Sequence, residues 1–348
     1  MGFFILRRVG IMLLTALCLT FLVFFLTNLY PNLEKLAKTQ GNFRMSDEQV
    51  ASFLEKGGYL QSTPIKYGEW LGVLPSYRYT NEDGTVQSRC ILPGDTAEAS
   101  PNFCGILQGY WGYSTYFENE VSAVIGKRLY LTGRLMLWVM VLMVPTALIV
   151  GVLAGMKEGS TTDRTLSAFA ITTTATPEYV SGVIFIAIFT SSAVGLKWFK
   201  GSATQAMENP TFENFFLPVL TIALFGMGYI ARMTRASMAE VMTTQYIRTA
   251  RLKGVSFPNI VIKHALRNAL IAPFTVIMLQ FPWLLNGVVI VEILFNYKGF
   301  GWALVQAAGN NDIQLLMAIS VVSVFVVLLT QLISDIGYVY LNPRIRIS

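Results

Sequence analysis

Side chains that could carry out chemistry are scarce in this chain, and their spacing fits no catalytic or metal site. His264 is the single histidine in 348 residues, which excludes a histidine-rich metal centre. The chain has no Cys-x-x-Cys pair, no Gly-x-Ser-x-Gly nucleophile elbow and no Gly-x-x-x-x-Gly-Lys-Ser/Thr phosphate loop. We therefore predict a protein without catalysis of its own, with no metal site and no cofactor bound by this chain.

The acidic residues inside long apolar segments are the remaining candidates for function. Glu178 follows Pro177 in one such segment, and Glu292 and Asp335 lie toward the ends of two others. Burying a carboxylate in lipid costs several kcal/mol, so an intramembrane acid indicates a function until another role is found. We predict that Glu178, Asn286 and Glu292 line a translocation pathway and that Asp335 is structural. For Glu178 a second interpretation stays open, in which it pairs with backbone groups freed by the proline.

The most basic stretch of the chain, residues 231–273, lies between two apolar segments. Its only acid is Glu240, and its basic residues are Arg232, Arg235, Arg248, Arg251, Lys253, Lys263 and Arg267. Lys and Arg in short loops mark the cytoplasmic side of a membrane. Gly254 ends a run of helix formers, and the Ser256 hydroxyl, with Pro258 in the first turn, predicts the start of a second helix. A plain solvated loop would explain the charge, but it would not explain this order of helix, glycine and helix.

The elements that must position these residues are membrane helices. With 53% hydrophobic and 13% charged residues, the chain is too apolar for a soluble domain. Six apolar segments are each long enough to cross a bilayer core of roughly 30 Å: residues 9–30, 129–156, 166–196, 215–233, 274–295 and 315–338. Within them, Pro145, Pro177, Pro218 and Pro282 are expected to kink or break helices, and Gly151 with Gly155 offers a surface for close helix contact.

The distribution of basic residues predicts the orientation. The net charge of +6 arises mostly in the flanks of the apolar segments, which favours membrane topology over nucleic-acid binding. The predicted fold class is an all-α polytopic membrane protein with six transmembrane helices and both termini in the cytoplasm. Residues 1–30 form the N-terminus and first helix, residues 31–127 an enlarged extracytoplasmic region, and residues 128–348 a five-helix core with a cytoplasmic coupling loop at 235–272.

Cys90 and Cys104 both fall in the predicted extracytoplasmic region. An oxidising exterior permits a disulfide, which would close a loop of about fifteen residues and contribute roughly 3 kcal/mol in the chain-entropy model. We predict this bridge, with two unrelated thiols as the alternative.

Residues 246–272 closely resemble the cytoplasmic loop of the permease subunits of bacterial ABC importers for dipeptides and oligopeptides. Arg248, Thr249 and Ala250 occupy the position of that family's Glu-Ala-Ala, and Gly254 occupies the position of its glycine. The peptide branch reads similarly to Tyr-x-Arg-Thr-Ala-Arg-x-Lys-Gly followed by His-Ala-Leu-Arg-Asn-Ala-Leu. The resemblance extends along most of the chain, and only residues 31–107 look longer than the family norm.

The resemblance implies a B-type permease subunit in the lipid bilayer of the bacterial inner membrane. It would pair with a homologous second permease, two ATPase subunits that bind ATP and Mg²⁺, and an extracytoplasmic substrate-binding protein. The residues that match the family's ATPase-coupling motif are Arg248, Thr249, Ala250, Arg251, Lys253 and Gly254. The cargo stays open among dipeptides, oligopeptides, opines, oligosaccharides and nickel chelates.

Two functions from other classes are alternatives. An ion-coupled secondary transporter would require internal repeats and more polar groups at the membrane midplane. A membrane sensor would bind a ligand in residues 31–127, but it would also require a cytoplasmic output domain, which the sequence lacks. The enlarged region itself is expected to dock the binding protein or to gate the outer mouth.

Overall fold

The computed structural model describes residues 2–81, 84–88, 90–91, 100–191 and 196–341, and helices dominate them. The helices are α1 (Gly2–Thr27), α2 (Tyr30–Gln40), α3 (Asp47–Lys56), α4 (Thr63–Leu71), α5 (Val121–Gly155), α6 (Thr161–Ala175), α7 (Glu178–Phe189), α8 (Phe212–Met242), α9 (Gln245–Leu252), α10 (Phe257–Asn259), α11 (Leu266–Ala269), α12 (Ile271–Leu294), α13 (Phe300–Gly309) and α14 (Ile313–Leu341). A π-helical segment, Ile260–Ala265, joins α10 to α11, and single 3₁₀ turns occupy Ile106–Gln108 and Gln205–Met207.

Four short strands form two antiparallel hairpins in the described residues. Strand β1 (Arg78–Thr80) pairs with β2 (Val86–Ser88), and β3 (Tyr113–Ser114) pairs with β4 (Asn119–Glu120). Both hairpins lie between the first and second long apolar helices. The long polar region predicted from the sequence is therefore folded, with three short helices and two hairpins of its own.

The helices confirm a polytopic membrane protein. Four of them, α1, α5, α8 and α14, are long and apolar enough to cross a bilayer alone. Two further spans are possible as bent pairs, one formed by α6 with α7 and one by residues 257–269 with α12. The described residues thus offer four to six spans by length and composition.

The predicted third span is two helices, and Pro177 is the reason. Helix α6 ends at Ala175, Pro177 takes the N-cap position of α7, and the two axes differ by 102°. Proline cannot donate a backbone hydrogen bond and clashes with the preceding turn, so the helix stops there. Pro145, Pro218 and Pro282 instead lie inside α5, α8 and α12, which continue past them unbroken.

The described chain divides into two compact units. The core unit contains Leu131–Trp302 and segments from both chain ends, and it is built around α8. Helix α5 approaches α8 closely, because a Cβ on Gly151 would lie 2.4 Å from Thr234 Cβ and one on Gly155 would lie 2.6 Å from the carbonyl oxygen of Arg235. The predicted small-residue surface is therefore a helix contact in which any side chain would collide.

The N-terminal unit comprises Val9–Tyr130 and Ala303–Phe325. Its apolar core packs Leu54 and Trp70 around Phe24, whose ring centroid lies 5.4 Å from that of Trp70. Ser114 donates a hydrogen bond to the buried carboxylate of Asp312. Cys90 and Cys104 are joined by a disulfide with their Cα atoms 5.6 Å apart.

Candidate functional site

Helix α9 has one apolar face and one basic face. Ile247 and Ala250 are buried, and their three-residue spacing places them on the same side of the helix. Arg248, Thr249 and Arg251 are exposed, as are Lys253 and Gly254 directly after the helix. Of the six residues that the sequence predicts for coupling, Ala250 therefore packs against the protein interior and the other five are exposed at the surface.

The apolar face of α9 is seated on its neighbours. Ile247 and Ala250 join a buried cluster with residues of α8, the π-helical segment and α11, namely Met238, Met242, Ile260, Val261, Ala265 and Ala269. Asn268 also donates a hydrogen bond to the Tyr246 hydroxyl over 2.9 Å. The basic loop is therefore a packed element, and the alternative of a plain solvated loop is excluded by these contacts.

Gly254 ends this element in the left-handed conformation, with φ at +75°. Its amide donates to the carbonyl oxygen of Arg251 over 3.0 Å, and the amide of Val255 donates to that of Ala250 over 3.2 Å. Both bonds close the last turn of α9 in the manner typical of a glycine helix stop. The glycine stop predicted from the sequence is confirmed.

The second helix starts where the sequence predicts, but one detail of the prediction was wrong. Ser256 is the N-cap residue and Pro258 lies in the first turn of α10, yet the Ser256 hydroxyl accepts no capping hydrogen bond. Proline, which lacks an N–H, already removes one of the donors that a cap would satisfy. The chain then widens into the π-helical segment, and a bend of 52° precedes α12. Short π-helical turns are frequent at functional sites in helices.

An ion pair between a buried aspartate and a partly exposed arginine ties the first turn of α6 to α8. Arg235 Nε lies 2.9 Å from Asp163 Oδ1, and its Nη2 lies 2.7 Å from Oδ2. The Asp163 carboxylate, 3% exposed, also accepts from the Gly159 amide over 2.9 Å. Sequence reasoning missed this pair, although an acid inside a short basic loop was the available signal. Nearby, Lys157 Nζ lies 5.7 Å from the ring centroid of Phe257.

Glu178 is the first residue of α7 and follows the proline break directly. It is half-buried, and its carboxylate has no hydrogen-bond or ion-pair partner within the part of the chain that the structure describes. The alternative in which Glu178 pairs with freed backbone groups therefore finds no bond here. Its place at a helix end, rather than deep inside a continuous span, differs from the sequence expectation.

Glu292 is fully buried and holds the start of α13. Its carboxylate accepts hydrogen bonds from the Thr132 hydroxyl and, over 2.8 Å, from the Trp302 amide. The Thr132 oxygen in turn accepts from the Phe300 amide over 2.7 Å. These contacts connect α5, α12 and α13 in the core unit. The side chain of Asn286, the third predicted pathway residue, lies outside the described residues.

Asp335 in α14 forms an ion pair with Arg8, with 3.1 Å between the carboxylate oxygen and the guanidinium nitrogen. Both residues belong to the core unit. This contact agrees with the structural role predicted for Asp335, which stays a prediction.

Comparison with known proteins gives a consistent result. The family model described as "Binding-protein-dependent transport system inner membrane component" matches residues 147–347. A probable peptide ABC transporter permease protein of Sinorhizobium fredii is 28% identical over 99% of this chain and 100% of its own length. A putative peptide transport system permease protein of Brucella abortus is 33% identical over 68% of this chain and 75% of its own length. A glutathione transport system permease protein of Salmonella choleraesuis is 32% identical over 69% of this chain and 76% of its own length.

Proposed function

The chain belongs to the family of binding-protein-dependent transport system inner membrane components and is the permease subunit of an ABC importer, and from that premise we propose that it carries short peptides. As a permease it is a multi-pass protein of the bacterial inner membrane and a transport subunit rather than an enzyme. The names of its relatives favour the cargo class, since two are named for peptides and one for glutathione.

The proposed complex contains this chain, a homologous second permease, two ATPase subunits and an extracytoplasmic binding protein. We assign the binding of ATP and Mg²⁺ to these ATPase subunits; this sequence itself contains no Gly-x-x-x-x-Gly-Lys-Ser/Thr phosphate loop. The proposed topology has six spans with both termini in the cytoplasm, in which the bent pair of α6 and α7 is the third span and α12 is the fifth. Residues 31–107 then face outward, where we propose that they dock the binding protein or gate the outer mouth.

The observation that carries the coupling proposal is the seating of α9. Its apolar face is buried against α8 and α11, so a force applied to its exposed face reaches the membrane helices. That face presents Arg248, Arg251 and Lys253, which would bind an acidic groove on an ATPase. ATP binds the closed ATPase pair more tightly than the open pair, and this difference shifts the equilibrium between the inward-facing and outward-facing permease.

Site-directed labelling tests both the sidedness and the contact. In a Cys18→Ser background, which removes the free cysteine, Leu252→Cys and Leu60→Cys are compared. Both leucines are exposed, at 82% and 50%, and they lie on the predicted inner and outer sides. A membrane-impermeant maleimide is expected to label Leu252→Cys only in inverted vesicles and Leu60→Cys only in right-side-out vesicles. Labelling of Leu252→Cys from outside would refute the topology.

The same variants test the docking surface. A short bifunctional cross-linker attached at Leu252→Cys is expected to join this chain to a co-purified ATPase, and the yield should change when ATP is added. Leu60→Cys is the matched control and should give no ATPase adduct. Equal yields from the two positions would exclude α9 as the coupling helix.

For the translocation pathway, the contacts favour Glu178 among the three predicted residues. Its carboxylate is half-buried beside a helix break, whereas that of Glu292 is taken up by Thr132 and Trp302. Irregular backbone at membrane depth is tolerated where it lines a cavity. We expect Glu178→Gln to change the peptide concentration that gives half-maximal import. The measurement uses complexes that contain the same amount of ATPase subunits as the wild type. An unchanged import curve would remove Glu178 from the pathway, while Asn286 remains a candidate.

A further inference from the structure

The N-terminal unit contains a cavity of about 450 Å³, open to the surface, that the coupling mechanism does not use. Its wall is formed by the end of α1, by α2, by the connection between α3 and α4, by the β1–β2 hairpin and by the start of α14. Pockets for small molecules typically measure roughly 300–1,000 Å³. The cavity therefore has the volume to hold a ligand such as a dipeptide or tripeptide.

Lys66 of α4 brings a buried ammonium group into this cavity. The residue is 9% exposed, and its Nζ donates to the carbonyl oxygen of Tyr59 over 2.8 Å. An ammonium has three N–H donors, and this bond uses one of them. Because the carbonyl is neutral, the bond also leaves the positive charge of Lys66 without a counter-charge. Burial lowers the pKa of Lys66. No carboxylate of the described residues forms an ion pair with its Nζ. Because a buried charge is costly unless it is paired, a ligand carboxylate would stabilise it.

The rest of the wall suits the backbone of a peptide. Five amide side chains line it: Asn28, Gln40, Asn81, Gln87 and Gln314. Three of them are already oriented by hydrogen bonds: Asn28 Nδ2 donates to the Phe24 carbonyl oxygen over 2.9 Å, Asn81 Nδ2 donates to the Thr85 hydroxyl over 2.9 Å, and Gln314 Oε1 accepts from the Tyr113 amide over 2.8 Å. Side-chain amides offer the same donor and acceptor groups as a peptide bond. Phe24 and Met317 add apolar surface, and Glu69 and Lys56 also lie in the wall.

We propose that this cavity is a peptide-binding site in which the Lys66 ammonium binds the terminal carboxylate and the amide side chains contact the peptide bonds. The choice of peptide rests on the proposed function, because any small carboxylate would satisfy Lys66 alone. The site would give the permease its own affinity for cargo, separate from the affinity of the binding protein.

The test is a calorimetric titration of the assembled importer in nanodiscs, without the binding protein. The probes are trialanine and its C-terminal amide, which differ only in the carboxylate. We expect the wild-type complex to bind trialanine and Lys66→Gln to bind it about tenfold or more weakly, as expected for the loss of a hydrogen bond to a charged group. Lys35→Gln, an exposed lysine on α2 outside the cavity wall, should bind as wild type. Circular dichroism of each complex checks that the variants are folded.

Two results would overturn the site: equal binding of trialanine and its amide, or undiminished binding by a folded Lys66→Gln complex. Absence of any binding to the wild-type complex also counts against it. Import of peptides by the complete importer, measured in parallel, decides the proposed function separately. Binding of trialanine without import would support the binding site and contradict the proposed transport of peptides. Import without binding of trialanine would support the transport function and refute the binding site.

Discussion

Gly254 is the residue at which coupling can be tested with the least disturbance elsewhere. Its φ of +75° lies in the left-handed region, where an L-residue with a Cβ costs about 1–2 kcal/mol. A Cβ at this position would have no atom within 4 Å, so the cost of Gly254→Ala is conformational rather than steric. Gly254→Asn should cost less, because asparagine tolerates this region. Gly254→Pro cannot form the turn, since proline fixes φ near −65° and loses the bond to Arg251.

The assay is substrate-stimulated ATP hydrolysis by the reconstituted importer, with binding protein and peptide present. A strain of about 1–2 kcal/mol shifts a two-state equilibrium roughly 5- to 30-fold, and this range sets the limits of the effect of alanine. We therefore expect stimulation near wild type for Gly254→Asn, a reduction of about 5- to 30-fold for Gly254→Ala, and no stimulation for Gly254→Pro. Each variant is compared at equal membrane content of this chain, which separates coupling from insertion.

The graded order of the three variants is the critical result. A Gly254→Pro complex that keeps its ATPase subunits and still responds to peptide would refute the argument that a rigid, glycine-terminated helix transmits the motion. Equal losses for asparagine and alanine would point to contact with the ATPase at this position instead of backbone conformation.

Three further predictions concern stability and packing. Asp163→Asn should destabilise the core unit by about 1.5–3 kcal/mol because it removes the two-point contact of Arg235, whose side chain is 31% exposed and keeps, among the described acids, only the exposed Glu158 at 3.5 Å; thermal unfolding in detergent measures this, and combining it with Arg235→Met in a double-mutant cycle isolates the coupling between the two residues. Replacing Cys90 and Cys104 by serine should lower the stability of the N-terminal unit by roughly 3 kcal/mol, and a wild-type protein whose thermal unfolding does not respond to reductant would contradict a stabilising bridge. Gly151→Leu should prevent close packing of α5 on α8, since even a Cβ there would lie 2.4 Å from the nearest side-chain atom, and it should reduce folded protein on size-exclusion chromatography, whereas Gly133→Leu, which faces open space, should not.

Local signals in the sequence were sufficient for the basic loop. Gly254 and Pro258 restrict the backbone through their own covalent structure, so the helix stop and the next helix start could be predicted without a fold. The Ser256 hydroxyl failed as a cap because capping also depends on side-chain rotation and on competing partners, which sequence does not specify. The same limit applied to Pro145, Pro218 and Pro282, where neighbouring helices decide whether the helix continues.

Partners distant in sequence were the part that could not be predicted. Glu292 read as an intramembrane acid, but its role depends on Thr132, which lies 160 residues earlier. Asp163 and Arg235 are separated by 72 residues, and the sequence around either residue does not predict that the two form a pair. The apolar face of α9 was visible in the sequence only as Ile247 and Ala250, without the surface on which it packs.

The sequence alone determined that this protein spans a membrane and carries a basic loop divided by a glycine, because apolar length, charge and backbone restriction are properties of short segments. The tertiary structure alone decided which acids are paired, how α9 is seated, and that Lys66 is buried in a cavity. Those properties depend on contacts between segments far apart in the chain, and only packing brings such segments together.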